Sequence, residues 1–327
     1  MSDLELKDLS CFILVARSGS ISAAARGSGL PKATISHRIR RLEDELGIDL
    51  FVRYPRRLEL TDHGSRFLAH CYSILGAVEN ATDDIKTSSD GLVGRLSVAV
   101  ASEFGTSTVG PVLEEFARSY PKLNFDVEIL SDYQVYFENL DIDCLIFVGE
   151  PPDTSLIGRC IWKFKFSLYA GKDYLEKFGT PKSIGDLKDH QCIKYLNNFQ
   201  ERTAQTWQLT KGNRNVNLSI RGRLRSPNFW MVKYFTVANL GIAYLPDFFV
   251  ETEREIGLVK QVLPGWHSED VPVYALYPKY RHGSRKVSKF IELWQEMVGD
   301  TKSQFPFALV EPTKTKPSRR RKSRAST

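Results

Sequence analysis

Between positions 26 and 57 the sequence carries eight basic residues (Arg26, Lys32, Arg38, Arg40, Arg41, Arg53, Arg56 and Arg57) against four acids (Glu43, Asp44, Glu45 and Asp49). Guanidinium and ammonium groups at this density neutralise phosphate oxygens and release counterions from a duplex. Among them stand Ala33, Thr34, Ser36 and His37, small or polar side chains of the kind that reach base edges in the major groove. At about 100° of helical rotation per residue, Ala33, His37, Arg40 and Arg41 oppose an apolar stripe of Ile35, Ile39 and Leu42, with Lys32, Thr34, Ser36 and Arg38 on the flanks. A solvated charged face is the plainer reading of such a run, but the flanking elements favour nucleic acid.

Upstream, Leu6, Leu9, Phe12, Ile13 and Ala16 predict a helix over residues 4–17 that stops at Gly19. Ser20 is placed to cap a short Ala-rich helix around residues 22–26, and Gly27-Ser28-Gly29 turns the chain into a third helix over 32–46, ended by Gly47. Residues 50–53 and 58–60 read as strands around the basic tip Tyr54-Pro55-Arg56-Arg57. The outline is an all-α helix-turn-helix with a wing, over residues 1–60. A long helix then runs from Thr61 to about Thr87 with Phe67, Cys71, Ile74, Val78, Ala81 and Ile85 at coiled-coil spacing, either a dimerisation seam or an amphipathic core helix. Residues 88–91 read as a hinge closing this linker segment, 61–91.

From residue 92 the pattern changes to strands alternating with helices, which predicts α/β layers with largely parallel strands up to about residue 299. The formal charge of +6 says little, because seven Lys and Arg lie in residues 313–327 and the rest holds 38 basic against 39 acidic residues. The segment 300–327 is too polar to bury a core and is expected to be a disordered tail, adding phosphate affinity or only solubility. No run reaches the length of a membrane helix and the start lacks a secretory pattern, so a cytoplasmic protein with no membrane partner is expected. The five cysteines are scattered, with no CxxC pair and no His at zinc-ligand spacing, so reduced thiols are expected, a redox sensor being the lesser alternative, and neither metal nor cofactor. Without a phosphate loop, nucleophile elbow or HExxH motif, no catalytic residues and no enzyme are expected.

Gly19-Ser20-Ile21-Ser22-Ala23-Ala24-Ala25, then residues 35–47 (Ile-Ser-His-Arg-Ile-Arg-Arg-Leu-Glu-Asp-Glu-Leu-Gly), Leu50-Phe51-Val52-Arg53 and Leu60-Thr61-Asp62-His63-Gly64 closely resemble the LysR-type transcriptional regulators. Later matches at residues 92–96, 173–190 and 240–246 extend the resemblance to nearly everything before Gly299. Pro31 stands where a Ser cap is usual, Lys32 where Gln is common, His37 where Arg is frequent and Asn239 where Gly is frequent.

The resemblance implies a winged helix whose DNA contacts are Lys32, Ala33, Thr34, Ser36, His37, Arg38, Arg40, Arg41, Arg53, Arg56 and Arg57. It also implies a bilobed effector domain of periplasmic-binding-protein type over 92–299, with lobe I from 92–162 plus 267–298 and lobe II from 163–266. A small-molecule effector would lie between the lobes against Ser102, Glu103, Thr106, Ser107, Thr108, Phe147 and Val148 on one side and Tyr195, Asn197, Ser226, Asn228 and Gly241 on the other. Capping and turn formation is the alternative use of the Ser and Thr residues. The partners implied are operator DNA, an effector of unknown identity, further copies in a homodimer or homotetramer, and RNA polymerase. A secreted solute-binding protein is opposed by the helix-turn-helix; a ligand-independent repressor with a vestigial cleft stays open.

Overall fold

The apolar stripes of the N-terminal segment close into three helices, α1 (Leu6–Ser18), α2 (Ile21–Ser28) and α3 (Lys32–Leu46). The computed structural model describes residues 4–55, 57–101, 104–130, 142–152, 154, 156–196 and 206–299. Gly19 stops α1 at φ 61°, a left-handed conformation that residues with a Cβ avoid. Ser20 restarts the chain, its Oγ accepting from the Ala23 amide at 3.1 Å. The wing pairs β1 (Phe51–Arg53) antiparallel with β2 (Leu58–Leu60). Phe12 fills the centre of this domain, its ring 5.2 Å from Phe51 and 5.4 Å from Phe67. With Ile35, Ile39 and Leu42 buried beside it, each such side chain contributes about 1.5–3 kcal/mol.

Helix α4 (Asp62–Asp90) begins at Thr61, whose Oγ1 accepts from the Gly64 amide at 2.9 Å and donates to the Asp49 carbonyl at 3.0 Å. Gly64 is where wing and helix cross: a Cβ there would stand 2.1 Å from the Leu50 carbonyl oxygen. Leu68, Cys71 and Tyr72 complete the winged-helix core, whereas Ile74, Val78 and Ile85 of the expected seam are exposed, Ile85 to 78%. The expected hinge at 88–91 is narrower than the sequence implies, because α4 stays helical through Asp90 and gives way at Gly91, φ 86°.

Beyond Gly91 the strands sort into two sheets. The first has the order β4 (Leu123–Leu130), β3 (Gly94–Ala101), β5 (Cys144–Val148), β14 (Val271–Tyr277), β6 (Ile157–Phe164). The second runs β10 (Arg214–Ser219), β9 (Thr206–Lys211), β13 (Val259–His267), β7 (Phe166–Gly171), β12 (Ile242–Pro246), β8 (Cys192–Tyr195), β11 (Leu224–Ser226). Helices α5 (Gly110–Ser119) and α9 (Arg285–Gly299) cover the first sheet through Phe116, Phe290 and Trp294. Three helices, α6 (Lys172–Phe178), α7 (Phe229–Val237) and α8 (Glu251–Glu255), belong to the second lobe.

The expectation of largely parallel strands is corrected: of ten pairings among the described residues of these sheets, only β3 with β4 and β5, and β8 with β11 and β12, are parallel. The chain passes from one sheet to the other between β6 and β7 and returns between β13 and β14, and all four crossing strands pair antiparallel with their neighbours. The first sheet keeps β6 through Phe164, two residues past the expected lobe boundary at 162, and beside this crossing Phe248 of the second lobe packs on Phe104, Trp162 and Phe164, with ring centroids 5.6, 5.1 and 5.1 Å apart. Asn239, where the resemblance led to an expectation of Gly, has φ 62° and uses its side-chain oxygen to accept from the Tyr174 amide at 3.1 Å. Asn is among the few residues with a Cβ that enter this region readily.

A short turn, Lys279–Arg281, joins the first lobe to α4. The Tyr280 ring packs where Gly76 leaves room, and its carbonyl accepts from Asn80 Nδ2 at 2.8 Å. Arg281, almost buried, stands 2.8 Å from Glu79 of α4 through Nη1 and 2.8 Å from Asp143 through Nε. Burial pushes the Asp143 carboxyl above its ordinary range, opposed by Arg281 and by the Ser97 amide donating to Oδ2 at 2.8 Å.

Arg281→Met is therefore expected to destabilise the chain by about 3 kcal/mol at neutral pH, since it strands a buried carboxylate. A carboxyl whose folded pKa lies above the unfolded one costs stability only while ionised, so the deficit should shrink as pH falls toward about 5. Urea unfolding at the two pH values checks both; a deficit below about 1 kcal/mol, or one that grows on acidification, contradicts the assignment.

Candidate nucleic-acid interface and effector cleft

The outer face of α3 exposes Lys32, Ala33, His37 and Arg40, with Thr34 and Ser36 half-buried at its edge. Among the described residues, Lys32, His37 and Arg40 take part in no ion pair, so three basic side chains on one helical face point into solvent.

Arg38 and Arg41 lie elsewhere. Both are half-buried and turned onto α1, Arg38 Nη1 standing 2.8 Å from Asp8 Oδ1 and Arg41 Nη2 bonding Asp8 Oδ2. Each also meets Glu5, at 3.5 Å for Arg38 and 3.0 Å for Arg41. Burial alone would raise the Asp8 carboxyl, yet the bonds from Arg41 and Arg38 outweigh it and hold it below the usual range. Glu5 is lowered too, chiefly by its bond to Arg41, which in turn raises the guanidinium. The placement of Arg41 on the outer face is thus corrected: its Cα leaves α3 away from the apolar stripe, but the long side chain folds back under α1 to reach a carboxylate.

Sequence reading missed Asp8, although a signal was there. Asp8, Phe12 and Val15 stand at i, i+4 and i+7 on the buried stripe of α1, and a carboxylate at such a position requires a cation.

In the wing, Arg53 Nη2 donates to Glu43 Oε2 at 2.8 Å, while Glu43 Oε1 accepts from the Leu50 and Phe51 amides at 3.0 and 3.2 Å. Glu43 is buried, so Arg53 helps tie the end of α3 to β1. Arg57 is exposed, 2.8 Å from Glu59 and over the Tyr54 ring at 5.0 Å. Arg56 lies outside the described residues.

The parallel strands β3 and β5 of the first lobe and β8 and β11 of the second end at Ala101, Val148, Tyr195 and Ser226. In open α/β sheets ligands bind beyond such carboxyl ends. Tyr195 and Ser226 are paired in register, and the Tyr195 ring stacks on Phe229 with centroids 3.7 Å apart. Asn228 caps α7, its Oδ1 accepting from the Met231 amide at 3.1 Å, and the Ser226 hydroxyl accepts from the Asn228 amide at 3.1 Å. Both therefore already serve the strand-to-helix turn.

Gly241 lets β12 approach the chain before β8, since a Cβ would stand 2.5 Å from the Gln191 carbonyl oxygen. On the first-lobe side, Thr108 is fully buried and donates to the Phe104 carbonyl at 2.6 Å, which removes it from a solvent-facing cleft. Ser107 and Phe147 are buried and Val148 is half-buried at the end of β5. Ser102, Glu103 and Asn197, and the Thr106 side chain, lie outside the described residues. Four cysteines are buried and Cys160 is exposed; burial pushes the Cys71 and Cys192 thiols up to about 12 and about 11. No single helix among the described residues is long and apolar enough to cross a membrane.

Two family models divide the chain along these lines. The bacterial regulatory helix-turn-helix protein of the lysR family matches residues 6–65, and the LysR substrate binding domain matches residues 89–299. The chain is 31% identical to the HTH-type transcriptional regulator PtxR of Pseudomonas aeruginosa, over 95% of this chain and 97% of that protein. It is 29% identical to the HTH-type transcriptional activator TtdR of Escherichia coli, covering 90% and 94%. Among solved structures it is similar to full-length AphB, described as a Vibrio cholerae virulence activator of the LTTR family, at 31% identity and TM-score 0.54, covering 89% of this chain and 98% of that one. Relatives of this kind are regulators and not enzymes, and the chain belongs to the LysR family of DNA-binding transcriptional regulators.

Proposed function

We propose that this chain is an effector-modulated regulator whose α3 enters the major groove and whose wing rests on the phosphate backbone. The observation that carries the reading is the outer face of α3, where Lys32, His37 and Arg40 are exposed and, among the described residues, have no ion-pair partners, beside Ala33, Thr34 and Ser36. Arg40 and Lys32 would hold phosphates, His37 and Ser36 would reach base edges, and Arg57, with Arg56, would hold the flanking backbone. The effector-binding unit is residues 92–299, with the ligand beyond the carboxyl ends of β3, β5, β8 and β11, where Tyr195 and Val148 are the contacts best supported by position. Copies would associate through Ile74, Val78 and Ile85 of α4, giving the two-fold pair of readers that a palindromic operator needs. The setting would be the cytoplasm, where operator DNA and effector are both available.

The deciding experiment is a nuclease footprint on the DNA upstream of the chain's own gene, with and without a small-metabolite library. Wild type should protect two half-sites about one or two helical turns apart. His37→Ala should cost about 1–3 kcal/mol of discrimination at one base position in each half-site. A metabolite that also raises the melting temperature should change the footprint; a footprint that none alters favours the ligand-independent repressor.

A further inference from the structure

Of the three arginines on α3, Arg40 faces solvent while Arg38 and Arg41 are held by carboxylates. Asp8 is set into the buried face of α1, its side chain 1% exposed, with one arginine on each of its oxygens. Glu5, at the N-cap of the same helix, meets the same two guanidiniums from the solvent side. Apolar packing of Ile35, Ile39 and Leu42 sets which face of α3 is buried, but being non-directional it leaves small rotations of the helix about its axis less constrained. Two planar guanidiniums on one buried carboxylate resist such rotations strongly, because their bonds have fixed directions. A rotation of only about 20° would carry the end of His37, about 5–6 Å from the helix axis, by roughly 2 Å, enough to break a hydrogen bond to a base edge.

We propose that Asp8 is a positioning residue for DNA specificity: by clamping Arg38 and Arg41 it fixes the rotation of α3 and withholds two cations from the phosphate backbone. This rests on the reading that α3 enters the major groove. The clamp lowers sequence-independent affinity and raises discrimination, since charge that would bind any duplex is spent inside the domain.

The test uses the full-length chain with two duplexes of equal length, one enriched from a random-sequence pool by the wild-type protein and one scrambled. Affinity for each is read by fluorescence anisotropy across a salt series. Arg40→Gln, the reference phosphate contact, should flatten the slope of log affinity against log salt by about 0.9. Arg38→Gln and Arg41→Gln should leave the slope within about 0.3 of wild type. Asp8→Asn, made together with Glu5→Gln so that neither carboxylate holds the arginines, should steepen the slope on the scrambled duplex by about 1 to 2 and reduce preference for the enriched duplex about tenfold.

Arg38→Lys combined with Arg41→Lys keeps the charges, loses the forks, and covers the case in which Asp8→Asn with Glu5→Gln does not fold. Preference should fall severalfold there with the slope unchanged, a result that loss of stability alone does not produce. Flattening by Arg38→Gln or Arg41→Gln equal to that of Arg40→Gln would overturn the proposal, as would an unaltered preference in the double-lysine variant. A wild-type chain that enriches no sequence would remove the groove reading and the proposal together, whereas the other two failures remove the proposal alone.

Discussion

Asp143 and Arg281 stand 2.8 Å apart with little solvent around either, and taking two charges out of water costs several kcal/mol per ion unless further contacts offset it. The offset comes from two further parts of the fold: the Ser97 amide in β3, which donates to Asp143 just ahead of β5, and Glu79 on α4, which meets Arg281. Because the second belongs to the helix that carries the winged domain, the electrostatics of lobe I and the course of α4 cannot be set independently. Tyr280, seated in the space left by Gly76, adds shape to the same constraint. Displacing α4 from this turn would leave a guanidinium and a carboxylate facing a partly dry gap.

The winged domain uses the same device twice. Asp8 binds α3 to α1 near its middle, and Glu43 binds its last turns to the first wing strand through two amides and Arg53. Between these anchors the apolar stripe of Ile35, Ile39 and Leu42 supplies most of the burial, and the carboxylates supply direction.

Local signals made the winged domain legible in sequence. The limits of α3 coincide with the periodic run from Lys32 to the Gly47 stop, and Ser20 and Thr61 cap the helices their types suggest. Tertiary signals were not legible in the same way. Helical rotation gives the direction of a Cα–Cβ bond and not the end point of an arginine, so Arg41 reads as an outward cation and Arg38 as a flanking one. Alternation with helices reads as largely parallel sheets because β6 and β13, two long strands whose polar faces and glycines give no clean alternation, do not stand out as strands in the sequence. Thr108 and Gly241, expected at the effector cleft, serve packing that only the folded chain reveals.

The place of β14 carries a consequence for how the chain comes off the ribosome. It lies between β5 and β6 in the first sheet, although β7 to β13, the whole second lobe, separate it from them in sequence. Lobe I therefore stays open along an unpaired strand edge until residues 271–277 emerge, a long loop closure of the kind that slows folding and exposes nascent chains to wrong partners. The winged helix, whose contacts are short-range, is complete long before then. During synthesis the DNA reader is a finished domain tethered to a half-built sheet, and the Arg281 joint that fixes α4 to the sensor can form only near the end.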